Sequence, residues 1–253
     1  MNSSTENNQT QSSPGKISLS APLKGVIFDM DGTLLQLNVL NDIKRQIIEI
    51  ATSEQLLVKH DDDDDVEELI ANLSSNGKQR VNMAVAKMLQ LHIDNMAIQV
   101  GGPELMAYLA QNGIKRAVLT HNTEKNAMIM QEMYRNECSE AEFDLIIGRD
   151  SLLDDSSSSN VPPEKTVGKE QRICQICKVW GCTPSEVIMV GDSIADDIVD
   201  GNRAGCAATI LLQPDGYELN EMYGKKMGSA EERVPTLCVE SLVDVKECLE
   251  CIL

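Results

Sequence analysis

Short apolar runs recur along the chain, each closed by a polar residue or a glycine and followed by a segment with helical spacing. The runs are Gly25–Phe28 before Asp29, Lys115–Leu119 before Thr120, Phe143–Ile147 before Gly148, Val187–Val190 before Gly191, and Ala207–Leu212 before Gln213. Runs without in-and-out alternation are the pattern of strands covered on both faces, as in a parallel sheet. The helical segments carry their own punctuation. Pro103 opens one and Gly113 closes it. Thr123 starts the next, with Ala127, Met130 and Met133/Tyr134 on one face. Ile173, Ile176, Cys177 and Trp180 form an apolar stripe, and Thr183-Pro184-Ser185-Glu186 has the form of a capping box. A short strand from Val234 and a helix after Ser241, with Leu242, Val245, Leu249 and Ile252 inward, complete the alternation. The pattern predicts an α/β fold with a Rossmann-like parallel sheet sandwiched by helices.

One region breaks the alternation. Leu37 to Ile98 contains no convincing strand and reads as two helices, Val39–Ala51 and Gln79–Leu91, separated by the acidic run Asp61–Asp65. It predicts a small helical insert after the first strand, with Met83, Met88 and Met96 filling gaps in its core. The expected organisation is thus a polar disordered tail over residues 1–22, a core over 23–36 and 99–253, and a cap over 37–98.

Charge narrows the function classes. Asp and Glu number 40 against 22 Lys and Arg, a formal net charge of −18, which argues against a binder of phosphate backbones. No stretch approaches a membrane span. Eight cysteines without a secretory signal fit free thiols in a reducing compartment. The expectation is a soluble cytoplasmic protein, a monomer or weak oligomer that binds neither nucleic acid nor membrane. The alternative is a plastid or another organelle if the hydroxyl-rich tail is a transit peptide.

The polar punctuation falls on one edge of the sheet, because Asp29, Thr120 and Asp192 all stand at or just past a strand's carboxyl end, where α/β sheets open their ligand crevice. The segments Asp29-Met30-Asp31-Gly32-Thr33, Thr120, the lysines near Pro162–Lys169, and Gly191-Asp192-Ser193-Ile194-Ala195-Asp196-Asp197 occur in that order. Their order and spacing resemble the four motifs of the haloacid dehalogenase-like hydrolase superfamily, over about residues 24 to 252. The insert after the first strand resembles that family's small cap.

The resemblance implies a Mg²⁺-dependent phosphatase acting on phosphate monoesters, with a small phosphorylated metabolite or other phosphate ester as substrate. A hard cation held by carboxylates would offset the repulsion between an attacking carboxylate and an anionic ester. Asp29 matches the family's nucleophile, which forms an aspartyl-phosphate, and Asp31 the general acid and base. Asp31 favours phosphoryl transfer over attack on carbon, since the dehalogenase branch lacks it. Thr120 and His121 match the groups that hold the phosphoryl oxygens. Asp29, Asp31, Asp192 and Asp197 match the metal-binding positions, with Asp196 as the alternative to Asp197. The family's lysine is normally followed by proline, and no Lys-Pro occurs here. Lys165 after the proline pair takes the role, with Lys169 as the alternative. A phosphomutase on the same core and a non-catalytic relative are the competing functions.

Two motifs carry simpler readings. Cys174-x-x-Cys177 and Cys248-x-x-Cys251 have zinc-like spacing, but both fall on predicted helices and read as core thiols. Asp61–Asp65 lacks the glycine and spaced ligands of a calcium loop and reads as a solvated charge run.

Overall fold

The computed structural model describes residues 17–36, 40–54, 66–94, 96–151, 168–213 and 229–253. Six strands form one parallel sheet: β1 (Gly25–Phe28), β2 (Lys115–Leu119), β3 (Leu145–Ile147), β4 (Val187–Gly191), β5 (Ala208–Leu212) and β6 (Leu237–Val239). Their order is β3-β2-β1-β4-β5-β6, with every neighbouring pair parallel. The chain winds outward from β1 through β2 to β3, then crosses back to β4 on the other side. The reversal lies between β1 and β4, and such switch points open a crevice at the carboxyl ends of the strands.

Among the described residues, the α-helices outside the insert are α4 (Gly102–Gln111), α5 (Glu124–Glu137), α6 (Lys169–Trp180), α7 (Val199–Ala204) and α8 (Leu242–Glu250). Alternate strand residues divide between two apolar layers. Val26, Phe28, Val118, Val190 and Ile210 pack with Leu105 and Leu109 of α4, Met130 and Tyr134 of α5 and Leu249 of α8. Ile27, Ala117, Leu119 and Met189 pack with Ile173, Ile176 and Cys177 of α6. This two-sided burial is why the strands read as continuous apolar runs. A fully buried side chain such as Phe28 contributes about 1.5–3 kcal/mol.

β3 is shorter than the apolar run Phe143–Ile147. Phe143 leaves the ladder, stacks edge-on against Tyr134 at 5.4 Å, and gives its N–H to the Gln131 side chain at 3.4 Å. Thr183–Glu186 forms a single 3-10 turn at Pro184–Glu186 rather than a longer helix. Within the tail expected through Pro22, Ile17 is buried and Leu19 packs on the sheet cluster; residues 1–16 lie outside the described residues.

Among the described residues the insert holds three helices, α1 (Leu40–Ser53), α2 (Val66–Asn72) and α3 (Ser75–Asp94). The sequence pattern missed α2, which has only seven residues. The three share a small cluster of Ile47, Ile50, Ala51, Leu69, Leu73 and Val81. Of the methionines expected there, Met83 is exposed and Met96 packs on the sheet's cluster instead. The insert leaves and re-enters the core at adjacent points: Gln36 N–H donates to the Ala97 carbonyl and Gln99 N–H to the Leu34 carbonyl, both at 2.9 Å. Asp61–Asp65 lies outside the described residues. Among the described residues no helix is long and apolar enough to cross a membrane.

Candidate active site

Phe28 pairs with Val118 on one side and Val190 on the other, so Asp29, Thr120 and Asp192 stand one or two residues past a common rung. The Asp29 N–H donates to the Val190 carbonyl at 2.9 Å and extends the ladder by one residue. The chain then turns sharply. Gly32 has φ +88°, and Leu34 and Leu35 both donate to the Met30 carbonyl. Only glycine adopts that φ readily, and a Cβ at Gly32 would also strike the Asp192 carboxylate. The buried Tyr134 hydroxyl donates to the Leu34 carbonyl at 2.8 Å and ties the turn to α5.

Lys169 supplies the positive charge. Its ammonium lies 2.6 Å from both Asp29 Oδ1 and Asp197 Oδ1, and all three residues are buried. Lys169 is the first residue of α6, where the helix dipole disfavours a cation. Two neighbours hold this end of the helix. Asp200 Oδ2 accepts the Glu170 N–H at 3.2 Å, and Arg172 donates to the Gly148 carbonyl at 2.7 Å. Burial opposes the charge on Lys169, but the two carboxylates outweigh it and raise its pKa above the ordinary lysine value. Lys165 lies outside the described residues.

Asp197 reaches this position through a π-helical turn at Ile194–Ile198. Its Oδ2 accepts the Ser193 N–H at 3.0 Å, and Gly191 leaves room that a Cβ would take from its carboxylate. Asp196 points elsewhere. Its side chain is about half exposed, with an oxygen 3.8 Å from Nε2 of the exposed His121. Thr120 is buried, and its hydroxyl accepts the Asn122 N–H at 2.9 Å.

Asp29, Asp192 and Asp197 each offer a carboxylate oxygen, and these atoms lie within 4.8 Å of one another. Burial raises the Asp29 pKa well above the usual carboxylate range, with Asp197 and Asp192 adding to the rise and Lys169 opposing it. Burial, then Asp197, pushes Asp192 up to about 7. One lysine therefore does not offset the crowding of carboxylates. Buried hard oxygen donors short of positive charge fit a divalent cation such as Mg²⁺. No cysteines among the described residues gather at this spacing. Cys174 and Cys251 are exposed, and Cys177 and Cys248 are buried in separate apolar clusters.

The model of the haloacid dehalogenase-like hydrolase family matches residues 23–205, more than half of the chain. The chain belongs to the haloacid dehalogenase-like hydrolase family. A second model, described as HAD-hydrolase-like, matches residues 168–245. A haloacid dehalogenase-like hydrolase domain-containing protein of Arabidopsis thaliana is 30% identical over 90% of this chain and 84% of its own length. An uncharacterized hydrolase of Saccharomyces cerevisiae is 28% identical over 90% of this chain and 91% of its own. Among solved structures, a predicted phosphoglycolate phosphatase from Haemophilus somnus superimposes with a TM-score of 0.56 at 17% identity. That match spans 92% of this chain and all of the other, and it shows a shared fold.

Sequence reasoning missed one residue that touches the family positions. The Asn122 side-chain amide donates to Asp31 Oδ2 at 3.3 Å. In the sequence, Thr-His-Asn-Thr after β2 reads as an ordinary turn and helix cap. Only the fold brings position 122 to position 31.

Proposed function

We propose that this chain is a Mg²⁺-dependent phosphatase that hydrolyses phosphate monoesters through an aspartyl-phosphate on Asp29. The observation that carries the proposal is the buried Lys169 ammonium 2.6 Å from Asp29 and Asp197, with Asp192 completing the carboxylate group at the switch point. A lone strand-end aspartate needs no such surroundings; a nucleophile that must meet an anionic ester does.

In the proposed reaction an Asp29 oxygen forms a bond to phosphorus while the bond from phosphorus to the ester oxygen breaks. Asp31 gives its proton to the departing oxygen. Water then attacks the aspartyl-phosphate, Asp31 takes the water's proton, and the phosphorus–Asp29 bond breaks to release phosphate and restore the carboxylate. Lys169, rather than Lys165, takes the lysine role, because it reaches Asp29. Thr120 and His121 would orient phosphoryl oxygens. Asp29, Asp31, Asp192 and Asp197 would hold Mg²⁺, which offsets negative charge between nucleophile and ester. Residues 37–98 would serve as the cap that selects substrates.

The test is turnover of p-nitrophenyl phosphate with and without Mg²⁺. Wild type should release p-nitrophenol only with the metal, and Asp29→Asn should lower kcat by at least about 10³-fold. Retained turnover in that variant removes Asp29 as nucleophile. Transfer of the enzyme-bound phosphate to a sugar phosphate in preference to water would indicate a phosphomutase.

A further inference from the structure

We infer that Asn122 is a positioning residue that fixes how the Asp31 carboxyl faces the ester; this rests on the proposed role of Asp31 as proton donor. The Asn122 amide cannot be turned around. Its Oδ1 accepts the Thr123 backbone N–H at 2.8 Å and an Asn126 amide hydrogen at 2.7 Å. A backbone N–H only donates, so the atom facing Thr123 is an oxygen and the other end of the amide is the NH₂ group. That NH₂ faces Asp31 Oδ2 at 3.3 Å. An amide NH₂ also only donates, so Oδ2 acts as acceptor there. The Asn122 backbone N–H meanwhile donates to Thr120 Oγ1 at 2.9 Å.

One residue thus joins the strand-end hydroxyl after β2 to the carboxyl after β1, across 91 positions of sequence. The first turn of α5 holds it in place. Thr123 caps that helix by accepting the Asn126 N–H at 3.3 Å, and Asn126 returns its amide to Asn122. The carboxyl of Asp31 is thus held from the α5 side through its Oδ2. General-acid catalysis depends on that alignment and contributes about 10²–10⁴-fold.

The deciding experiment varies the leaving group. kcat/KM reports only the steps through its departure, so it isolates the proton given to the ester oxygen. Wild type, Asn122→Ala and Asn122→Asp are compared with Mg²⁺ on an alkyl phosphate, phenyl phosphate and 2,4-dinitrophenyl phosphate. Asn122→Asp keeps an oxygen for the Thr123 N–H and replaces the donor toward Asp31 with a carboxylate oxygen that repels it. Both variants should lose about 10–100-fold in kcat/KM on the alkyl ester and under about 3-fold on the dinitrophenyl ester, whose leaving group needs no proton. Adding Asn122→Ala to Asp31→Asn should cost little further, since the two act as a unit. A uniform loss across the esters, or no loss on the alkyl ester, overturns the inference while leaving the phosphatase reading intact. Absence of Mg²⁺-dependent turnover by wild type on every ester overturns both.

Discussion

The two ends of the same strands follow opposite physical rules. At the carboxyl end the chain buries Asp29 and Asp197 with Lys169 between them, beside the half-buried Asp192. At the amino end, Gly25 lies against the Trp180 ring, and the Lys115 ammonium sits 6.0 Å from the ring centre. Cys177, Cys182 and Cys206 pack there around Ile27, Val187 and Met189. Burial raises the thiol pKa values, Cys206 to about 12, so these cysteines stay protonated and behave as small apolar side chains. The amino end contributes stability through apolar contact. The carboxyl end costs stability through desolvated charge and holds the groups suited to chemistry.

Variants at each end can break this contrast. The largest effect belongs to Lys169→Ala, which leaves Asp29 and Asp197 buried without their cation. Urea unfolding of the metal-free protein should show a loss of about 3–5 kcal/mol, and turnover should vanish. Lys165→Ala should stay near wild type in both. A larger activity loss in Lys165→Ala would return the lysine role to that position.

The second effect is in the pH dependence of the metal-free protein. Asp192 titrates at about 7 in the fold, against about 3.9 when unfolded. Between those values the native state keeps a proton that the unfolded chain has lost, so stability falls as pH rises through the window. With Asp29 shifted in the same direction, the midpoint temperature in chelator should decline from about pH 4 to about pH 7. Saturating Mg²⁺ should flatten that decline, because a bound cation favours the ionised carboxylates. A midpoint that climbs with pH in chelator would contradict the account of the cluster.

Gly25→Ala probes the other end of the strands. A Cβ there would run into the Trp180 ring and force it aside, at a cost of about 1–3 kcal/mol. Its kcat/KM should match wild type, because the strain lies at the edge opposite the carboxylates. Activity that falls in step with stability would show that the two ends are not independent. The smallest effect is expected for Asp196→Asn, a half-exposed carboxylate on the same turn as Asp197. Its stability should stay within about 0.5 kcal/mol of wild type. A loss as large as that of Asp197→Asn would exchange the roles of the two neighbours.

The sequence carried the sheet well because its strands are covered on both faces. β1, β2 and β4 appear as apolar runs that end at Asp29, Thr120 and just before Asp192, so the crevice residues were marked by their place in the chain. Legibility fell where elements are short or borrow their partners. α2 was too brief to show a period, and the Phe143–Ile147 run gave up Phe143 to Tyr134.

By itself, then, the sequence determined the parallel α/β core, the helical insert and the line of polar residues at the carboxyl edge, because local pattern and strand burial are written in adjacent residues. Packing of distant segments brought Lys169 to Asp29, turned Asp197 rather than Asp196 inward, and carried Asn122 to Asp31. Those contacts span 140 residues for Lys169 and 91 for Asn122. A side chain's charge partner is set by where its helix or turn docks, and docking is a property of the packed core rather than of the neighbouring sequence.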